Sequence, residues 1–193
     1  RGIAVRKLAS HLRSLRDRRA AAEPHRLVTI PFSHYCEKAR WALDRAQIPY
    51  REDAHVPLLS WRFARGAGGS RQVPVLVVGT EVANREVLPD STDILKYADR
   101  AGHATPLFSG DEESDALEHL VDEKLGPAVR RVAYDYLLKE PAVMRRLFER
   151  HGGGGVEGTV ARAMRPVIAM GIRRGLKIDA AGVARSWKAI EHV

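Results

Sequence analysis

The feature that most restricts the fold is the nearly continuous apolar run Val73-Pro74-Val75-Leu76-Val77-Val78. Strands that are buried on both faces have such runs, whereas a strand with one solvated face alternates apolar and polar residues. Proline donates no hydrogen bond to a β-ladder, so Pro74 fits only at the very start of this strand. The run therefore predicts a central strand that is buried on both faces of its sheet.

Other short elements surround this strand, and their order indicates an α/β class of fold. The predicted elements are a strand at 27–30, an amphipathic helix from Cys36 to Ala46, a strand at 50–56, an irregular or weakly helical stretch at 58–70, a hairpin partner at 81–88 and a helix after Asp90. The first two strands are expected to pair in parallel and the last two in antiparallel fashion. Together they predict one mixed four-stranded sheet.

Strand patterns stop after Pro106, and the remaining apolar residues recur at helical spacing. The predicted helices are a long one marked from Leu117 to Tyr136, one marked from Val160 to Ile172 with a kink at Pro166, and one marked from Val183 to Ile190. Gly152 to Gly155 predict a flexible break between helices. No stop signal follows the last helix, so it is expected to be cut short. The predicted parts are a basic extension at 1–26, an α/β domain at 27–105 and an incomplete all-α domain at 110–193.

The positive charge is concentrated in the N-terminal extension. Residues 1–26 hold eight basic and two acidic side chains, so they carry +6 of the formal net charge of +8. The nearly neutral remainder argues against a nucleic-acid partner. The extension lacks the apolar segment of a secretory signal, and no apolar run reaches the roughly 18–20 residues of a membrane span. A solvated extension is favoured, with organelle targeting or contact with a membrane surface as alternatives.

Cys36 is the only cysteine, which excludes an internal disulfide and any multi-cysteine metal site. A single cysteine suits a reducing cytosol, and we predict a cytoplasmic location. The eight histidines show no ligand spacing, so no metal site is predicted.

Three short motifs carry a resemblance to a known family. They are Ser33-His34-Tyr35-Cys36-Glu37-Lys38-Ala39-Arg40, Gln72-Val73-Pro74-Val75-Leu76 and Asp90-Ser91. The first resembles the strand-to-helix junction of glutathione transferases and glutaredoxins, where a C-x-x-C, C-x-x-S or S-x-x-C motif opens the first helix. The second resembles the strand that carries the family's cis-proline, and the third its pair of polar residues for the γ-glutamyl group. In this order and spacing they resemble the glutathione S-transferase superfamily of the serine type.

The resemblance implies a thioredoxin-like N-terminal domain, a helical C-terminal domain without the family's later capping segment, and a glutathione site. The residues implied to bind glutathione are Tyr35, Gln72, Val73, Pro74, Asp90 and Ser91. Among these, the Val73 backbone would pair with the cysteinyl unit, Ser91 with the γ-glutamyl carboxylate and Asp90 with the ammonium group. Ser33 would activate the thiol.

That role for Ser33 has a physical basis. A thiol is a poor nucleophile until it ionises. The N-terminus of a helix presents unpaired N–H groups and partial positive charge, which favour an anion. A hydroxyl group there can donate a hydrogen bond to the thiolate and hold it ionised.

Simpler interpretations stay open for the same residues. Ser33 can be only a helix-entry serine. Cys36 stands at the resolving position of a C-x-x-C motif whose first cysteine is replaced by Ser33, which removes a dithiol mechanism. Its thiol could form a mixed disulfide with glutathione, or it could be a small buried apolar residue. Asp90 and Asp93 can be a helix cap and a first-turn acid, which does not exclude ligand binding.

Several side chains of the helical half also receive an interpretation. The pairs Arg130-Arg131, Arg145-Arg146 and Arg173-Arg174 are expected to lie on solvated helix faces, with a membrane surface as the alternative for the last pair. In the resembled family the helix of Tyr134 and Tyr136 faces the second-substrate pocket. Either tyrosine could line it, and core packing is expected for Tyr136.

The first functional hypothesis is a detoxifying enzyme that transfers the thiolate of glutathione to a small electrophile. It needs no metal or redox cofactor beyond glutathione, and the resemblance implies a homodimer. The alternatives are a non-catalytic scaffold or binding module on the same fold, and a glutathione-dependent thiol reductase that uses Cys36.

Overall fold

A computed structural model describes residues 25–57, 59–79, 85–108, 112–151, 159–160 and 163–193. The predicted extension lies outside the described residues except for its last two positions, 25 and 26, and the predicted break at 152–155 and residues 81–84 of the predicted hairpin strand also lie outside them. The strands are β1 (His25–Thr29), β2 (Tyr50–Ala54), β3 (Val75–Val78) and β4 (Glu86–Leu88). The helices between and after them are α1 (His34–Arg45), α2 (Ser60–Gly66) and α3 (Ser91–Ala101).

The four strands form one mixed sheet in the order β2-β1-β3-β4. β1 pairs in parallel with β2, and β3 pairs in antiparallel fashion with both β1 and β4. This confirms the predicted mixed sheet and the central position of the apolar run. The irregular or weakly helical stretch contains the short helix α2.

Alternate residues of the central strands pack on opposite faces of the sheet, as the pleat requires. Leu27 and Leu76 lie in a core cluster with the inner faces of α1 and α3. Val28 and Val75 lie in a second cluster with residues of α2. Because both faces are covered, β3 tolerates no alternation with polar residues, which explains its continuous apolar sequence. The fold of this half is thioredoxin-like.

The second half is helical. Its elements are α4 (Glu112–Leu120), a π-helical segment (Val121–Leu125), α5 (Gly126–Lys139), α6 (Pro141–His151), α7 (Arg165–Gly175) and α8 (Ala180–Glu191). A third core cluster combines Val56 with Met144, Ile168, Ile172 and Ile178 of these helices and the turn that follows α7. No helix in the described part of the chain has the length and apolar character that crossing a bilayer requires.

Two details of the helical half differ from the prediction. The predicted long helix is interrupted by the π-helical segment, which α5 follows with Pro127 in its first turn. Pro166 lies in the first turn of α7 and not inside a continuous helix, because a turn at Met164 separates α7 from the helical residues 159–160 and 163. The reason is the same at both positions: proline has no N–H group, and the first turn of a helix needs none.

Candidate functional site

A cleft of about 530 Å³ lies between the thioredoxin-like half and the helical half. One wall comes from the loops that precede α1, β3 and α3, and the other comes from α5, α7 and the π-helical segment. Seven of the eight sequence-predicted site residues line this cleft: Ser33, Tyr35, Gln72, Val73, Pro74, Asp90 and Ser91. The eighth, Cys36, does not.

Ser33 is the N-cap residue of α1. Its backbone is extended, with φ −86° and ψ 125°, and its Oγ accepts a hydrogen bond from the backbone N–H of Cys36 at 3.5 Å. The helix-entry interpretation is therefore confirmed. It leaves the ligand role open, because a hydroxyl that accepts one hydrogen bond keeps its own proton to donate. Ser33 thus brings a donor to the cleft at the positive end of a helix.

Tyr35 connects the two walls. Its hydroxyl donates a hydrogen bond to the backbone carbonyl of Asp122 at 3.0 Å. Burial raises the pKa of Tyr35, so the phenol stays protonated and remains a donor at neutral pH. Gly126 begins α5 next to this hydroxyl, where an added methyl group would approach the Tyr35 oxygen to 2.6 Å. Tyr35 therefore fixes the start of α5 against the thioredoxin-like half.

The loop before β3 forms the floor of the cleft on one side. The Val73–Pro74 peptide bond is cis. Pro74 is buried and Val73 is half-buried, whereas Gln72 is exposed at the cleft. Pro74 precedes the first residue of the strand, as its missing N–H group requires.

The start of α3 closes the same wall. Asp90 is the N-cap residue, and its Oδ1 accepts from the backbone N–H of Thr92 at 2.8 Å. Asp93 is the first-turn acid, so the predicted cap is confirmed. Ser91 is only 1% exposed and lines the cleft beside the exposed Asp90. The pair presents a hydroxyl and a carboxylate at a helix N-terminus.

Cys36 lies behind the cleft wall in the core. Its exposure is 0%, and its Sγ accepts from the backbone N–H of Ile30 at 3.4 Å. Burial raises the pKa of the thiol, against the opposing effect of that hydrogen bond and the one to Ser33. The structure therefore places Cys36 as a small buried residue, and a lowered pKa is not what this environment produces.

The helical wall carries residues that the sequence did not single out for this site. Arg130, Ile172 and Leu176 line the cleft together with Tyr134, whose pKa burial raises to about 12. The expectation of a solvated face for Arg130 and Arg131 is wrong, because Arg131 donates to the Leu176 carbonyl at 2.7 Å and to Ser186 Oγ at 2.6 Å. The core position expected for Tyr136 is also wrong, because Tyr136 is 61% exposed.

One sequence signal could have found Arg130. Residues four apart on a helix share a face, and Arg130 precedes Tyr134 by four positions. If Tyr134 lines the pocket, this spacing predicts that Arg130 lies beside it on the same face of the helix. Ile172 and Leu176 are distant in sequence from the other cleft residues and belong to an ordinary apolar helix pattern, so no local signal predicts that they line the cleft.

A buried ion cluster holds the π-helical segment in place. Lys38 on α1 donates to Asp122 Oδ1 at 2.6 Å, to Glu118, and to Thr92 Oγ1 at 3.2 Å. Burial alone would lower the pKa of Lys38, but the bonds to the two carboxylates outweigh it and raise that pKa. Burial would likewise raise the pKa of Glu118, but hydrogen bonds from Lys38 and Thr92 lower it. The cluster therefore keeps its charges and ties the two walls together.

Within the described residues, no group of three or more His, Cys, Asp and Glu side chains is arranged to hold a metal ion. The chemical resources of the cleft are hydroxyl groups, helix N-termini, the carboxylates of Asp90, Asp122 and Glu123, and the guanidinium groups of Arg71 and Arg130.

Residues 27–106 match the family model described as glutathione S-transferase, N-terminal domain. No curated protein sequence matches the chain. Among solved structures, a glutathione transferase from Phanerochaete chrysosporium matches with a TM-score of 0.53 at 17% identity, over 88% of this chain and 69% of that one. At this identity the match shows a shared fold.

Two further solved structures are similar at lower scores. A maleylacetoacetate isomerase from Anaeromyxobacter dehalogenans has a TM-score of 0.43 at 19% identity, over 88% of this chain and 86% of that one. Glutathione transferase Omega 2S from Trametes versicolor has a TM-score of 0.43 at 16% identity, over 86% of this chain and 94% of that one.

Proposed function

Because this chain belongs to the glutathione S-transferase superfamily through its N-terminal domain, we propose that it binds glutathione in the cleft and transfers the thiolate to a small electrophile. The observation that carries the proposal is that Ser33, Val73 and the pair Asp90-Ser91 line one cleft although they come from three separate loops. The strand order brings the three loops to one edge of the sheet, and the residues at that edge place a donor hydroxyl, a strand-entry backbone and a helix cap in the same cavity.

The proposed reaction begins with loss of the thiol proton to water. The Ser33 hydroxyl and the N-terminus of α1 stabilise the resulting thiolate. The sulfur attacks the electrophilic carbon, a carbon–sulfur bond forms, and the leaving group departs with its electron pair. Val73, Asp90 and Ser91 hold the tripeptide while the helical wall holds the electrophile, so that much of the rate enhancement comes from positioning.

Calorimetric titration of glutathione into the purified chain tests the binding step. Replacement of Ser91 by alanine is expected to weaken binding by about 10- to 100-fold, because a buried hydrogen bond to a charged group contributes roughly 1.5–3 kcal/mol. Ser60→Ala is the matched control, since Ser60 is a second buried serine of the same cleft with no assigned contact to glutathione. Its affinity should stay within about twofold of the unmodified chain.

An absence of binding to the folded chain would reject the proposal and favour the scaffold hypothesis. Equal losses in the Ser91→Ala and Ser60→Ala variants would mean that Ser91 makes no special contact.

Replacement of Cys36 by alanine separates the transferase from the thiol reductase. We expect conjugating activity within about threefold of the unmodified chain, because the buried thiol does not line the cleft and its pKa is raised. The rate of glutathione conjugation, measured together with thiol–disulfide exchange, provides the readout. Loss of both activities in Cys36→Ala, with Ser33→Ala unaffected, would instead establish the reductase.

Three further assignments follow from the family resemblance and stay predictions: a role in detoxification, a cytoplasmic location and a homodimer.

A further inference from the structure

The helical wall of the cleft contains a cation that no carboxylate in the described part of the chain neutralises. Arg130 lines the cleft from α5, and its Nε is buried and donates to no acceptor among the described residues. Its guanidinium lies 5.4 Å from the centroid of the Tyr35 ring, and Tyr35 itself is anchored by its hydroxyl. A buried donor without a partner costs free energy, so this position would be stabilised by an anion.

The acidic residues of the cleft have other partners or other positions. Asp122 accepts from Lys38 at 2.6 Å, and Asp90 caps α3 on the opposite wall. Glu123 lines the cleft but is exposed and does not reach ion-pair distance of Arg130. The charge on Arg130 therefore stays available inside the cleft, in contrast to Arg131, whose guanidinium is occupied by the Leu176 carbonyl and Ser186.

Apolar surface lies beside Arg130 on the helical wall. Tyr134, Ile172 and Leu176 lie on the same wall. Gly175 also lines the cleft, and a methyl group added there would meet nothing within 4 Å, so this side of the cleft has open space. A cation beside apolar surface and free volume suits a ligand with a carboxylate on an apolar body.

We infer that Arg130 binds a carboxylate of the second substrate, so that the preferred electrophiles are organic acids rather than their neutral analogues. The inference rests on the proposed function for the transfer step. Because Arg130 lies on the helical wall and Ser91 and Val73 lie on the thioredoxin-like wall, we assign it to the electrophile rather than to the tripeptide. Arginine is suited to this task because its planar fork pairs with both oxygens of a carboxylate.

A matched pair of electrophiles tests the inference: chlorodinitrobenzoate and chlorodinitrobenzamide. In both, the glutathione thiolate attacks the ring carbon that bears chlorine, and chloride leaves with the bonding electrons. After correction for the uncatalysed rates, kcat/KM of the unmodified chain is expected to favour the acid by about tenfold or more.

The variant Arg130→Met keeps a long apolar side chain and removes the charge. It should lower kcat/KM for the acid by about 10- to 100-fold and leave the amide within about twofold. Arg130→Lys should recover part of the preference, because it restores a point charge without the planar fork. An acid-to-amide ratio that is the same in Arg130→Met and in the unmodified chain would overturn the inference.

Two titrations separate this inference from the proposed function. Dinitrobenzoate, which has no leaving group, is titrated without glutathione into the unmodified chain and into Arg130→Met, and glutathione is titrated into the same two proteins. Arg130-dependent binding of dinitrobenzoate without any glutathione binding would support the subsite and reject the transferase. Normal glutathione binding with no effect of Arg130 on dinitrobenzoate would overturn the inference alone. Weaker glutathione binding in Arg130→Met with an unchanged acid-to-amide ratio would also overturn it, and would assign the guanidinium to a carboxylate of glutathione.

Discussion

Replacement of Ser33 by alanine is expected to lower the turnover of glutathione conjugation by about 10- to 100-fold at neutral pH. The hydroxyl stands at the N-cap of α1, where its oxygen accepts from the backbone N–H of Cys36 and its own proton can be donated to a bound thiolate. A hydrogen bond to a charged group contributes roughly 1.5–3 kcal/mol, and its loss would raise the pKa of the bound thiol by about one to two.

The pH dependence of that loss identifies its cause. If Ser33 stabilises the thiolate, the alanine variant needs a higher pH to ionise the thiol of bound glutathione. Its deficit should then shrink as pH rises, and the acid limb of the pH–rate profile should move to higher pH. Measurement of thiolate absorbance in the binary complex against pH follows the same ionisation without the electrophile. A deficit that is equally large at every pH would contradict the assignment.

Two matched variants distinguish the hydrogen bond that Ser33 donates to the thiolate from its structural contact as the N-cap of α1. Ser33→Thr keeps both the hydroxyl and the N-cap, and we expect activity within about fivefold of the unmodified chain. Ser33→Asp keeps the cap acceptor but donates no hydrogen bond to a thiolate and places a like charge beside it. That variant should therefore match the stability of the unmodified chain and lose the activity. If Ser33→Asp were active, the serine would serve only to begin the helix.

Local signals in the sequence predicted the sheet and one wall of the cleft. The continuous apolar strand at Val75–Val78 is buried on both faces, and Asp90 caps α3 as its sequence context implied. The helical spacing of Cys36, Ala39 and Leu43 already placed all three on one apolar face, and all three have 0% exposure. The sequence left the buried and the reactive interpretations of Cys36 open, and the structure places the thiol in the core.

The other wall of the cleft could not be predicted in the same way. The hydrogen bond between Tyr35 and the carbonyl of Asp122 joins residues 87 positions apart, and the bond between Lys38 and Asp122 spans 84 positions. Such contacts depend on how the helical half packs against α1, which no local spacing encodes. From the sequence alone, Lys38 is predicted only to be a charged residue on the outer face of a helix. In the structure the Lys38 side chain instead bonds Glu118 of α4 and Asp122 of the π-helical segment.

Replacement of Lys38 by methionine is accordingly expected to lower the free energy of unfolding by about 2–3 kcal/mol, because it leaves Glu118 and Asp122 without their cation. The side chains of the three residues are only 18–22% exposed, so water compensates little. Arg100→Met is the control. It removes a cation from a pair with Glu86 at 3.8 Å in which both side chains are exposed, at 64% and 50%, so a change of at most about 0.5 kcal/mol is expected. Urea unfolding of the variants measures both changes.

The dependence of this penalty on pH follows from the two pKa shifts. The pKa of Glu118 is lowered in the folded chain, so its stabilisation is present above the pKa of an unfolded glutamate, about 4.3, and is lost as pH falls through the folded value. The pKa of Lys38 is raised, so its stabilisation is present below about 10.4 and is lost as pH rises through the folded value. The difference in stability between the unmodified chain and Lys38→Met should be largest between about pH 5 and pH 10 and should narrow on either side. A difference that does not change with pH, or one no larger than that of Arg100→Met, would show that the cluster does not hold the two walls of the cleft together.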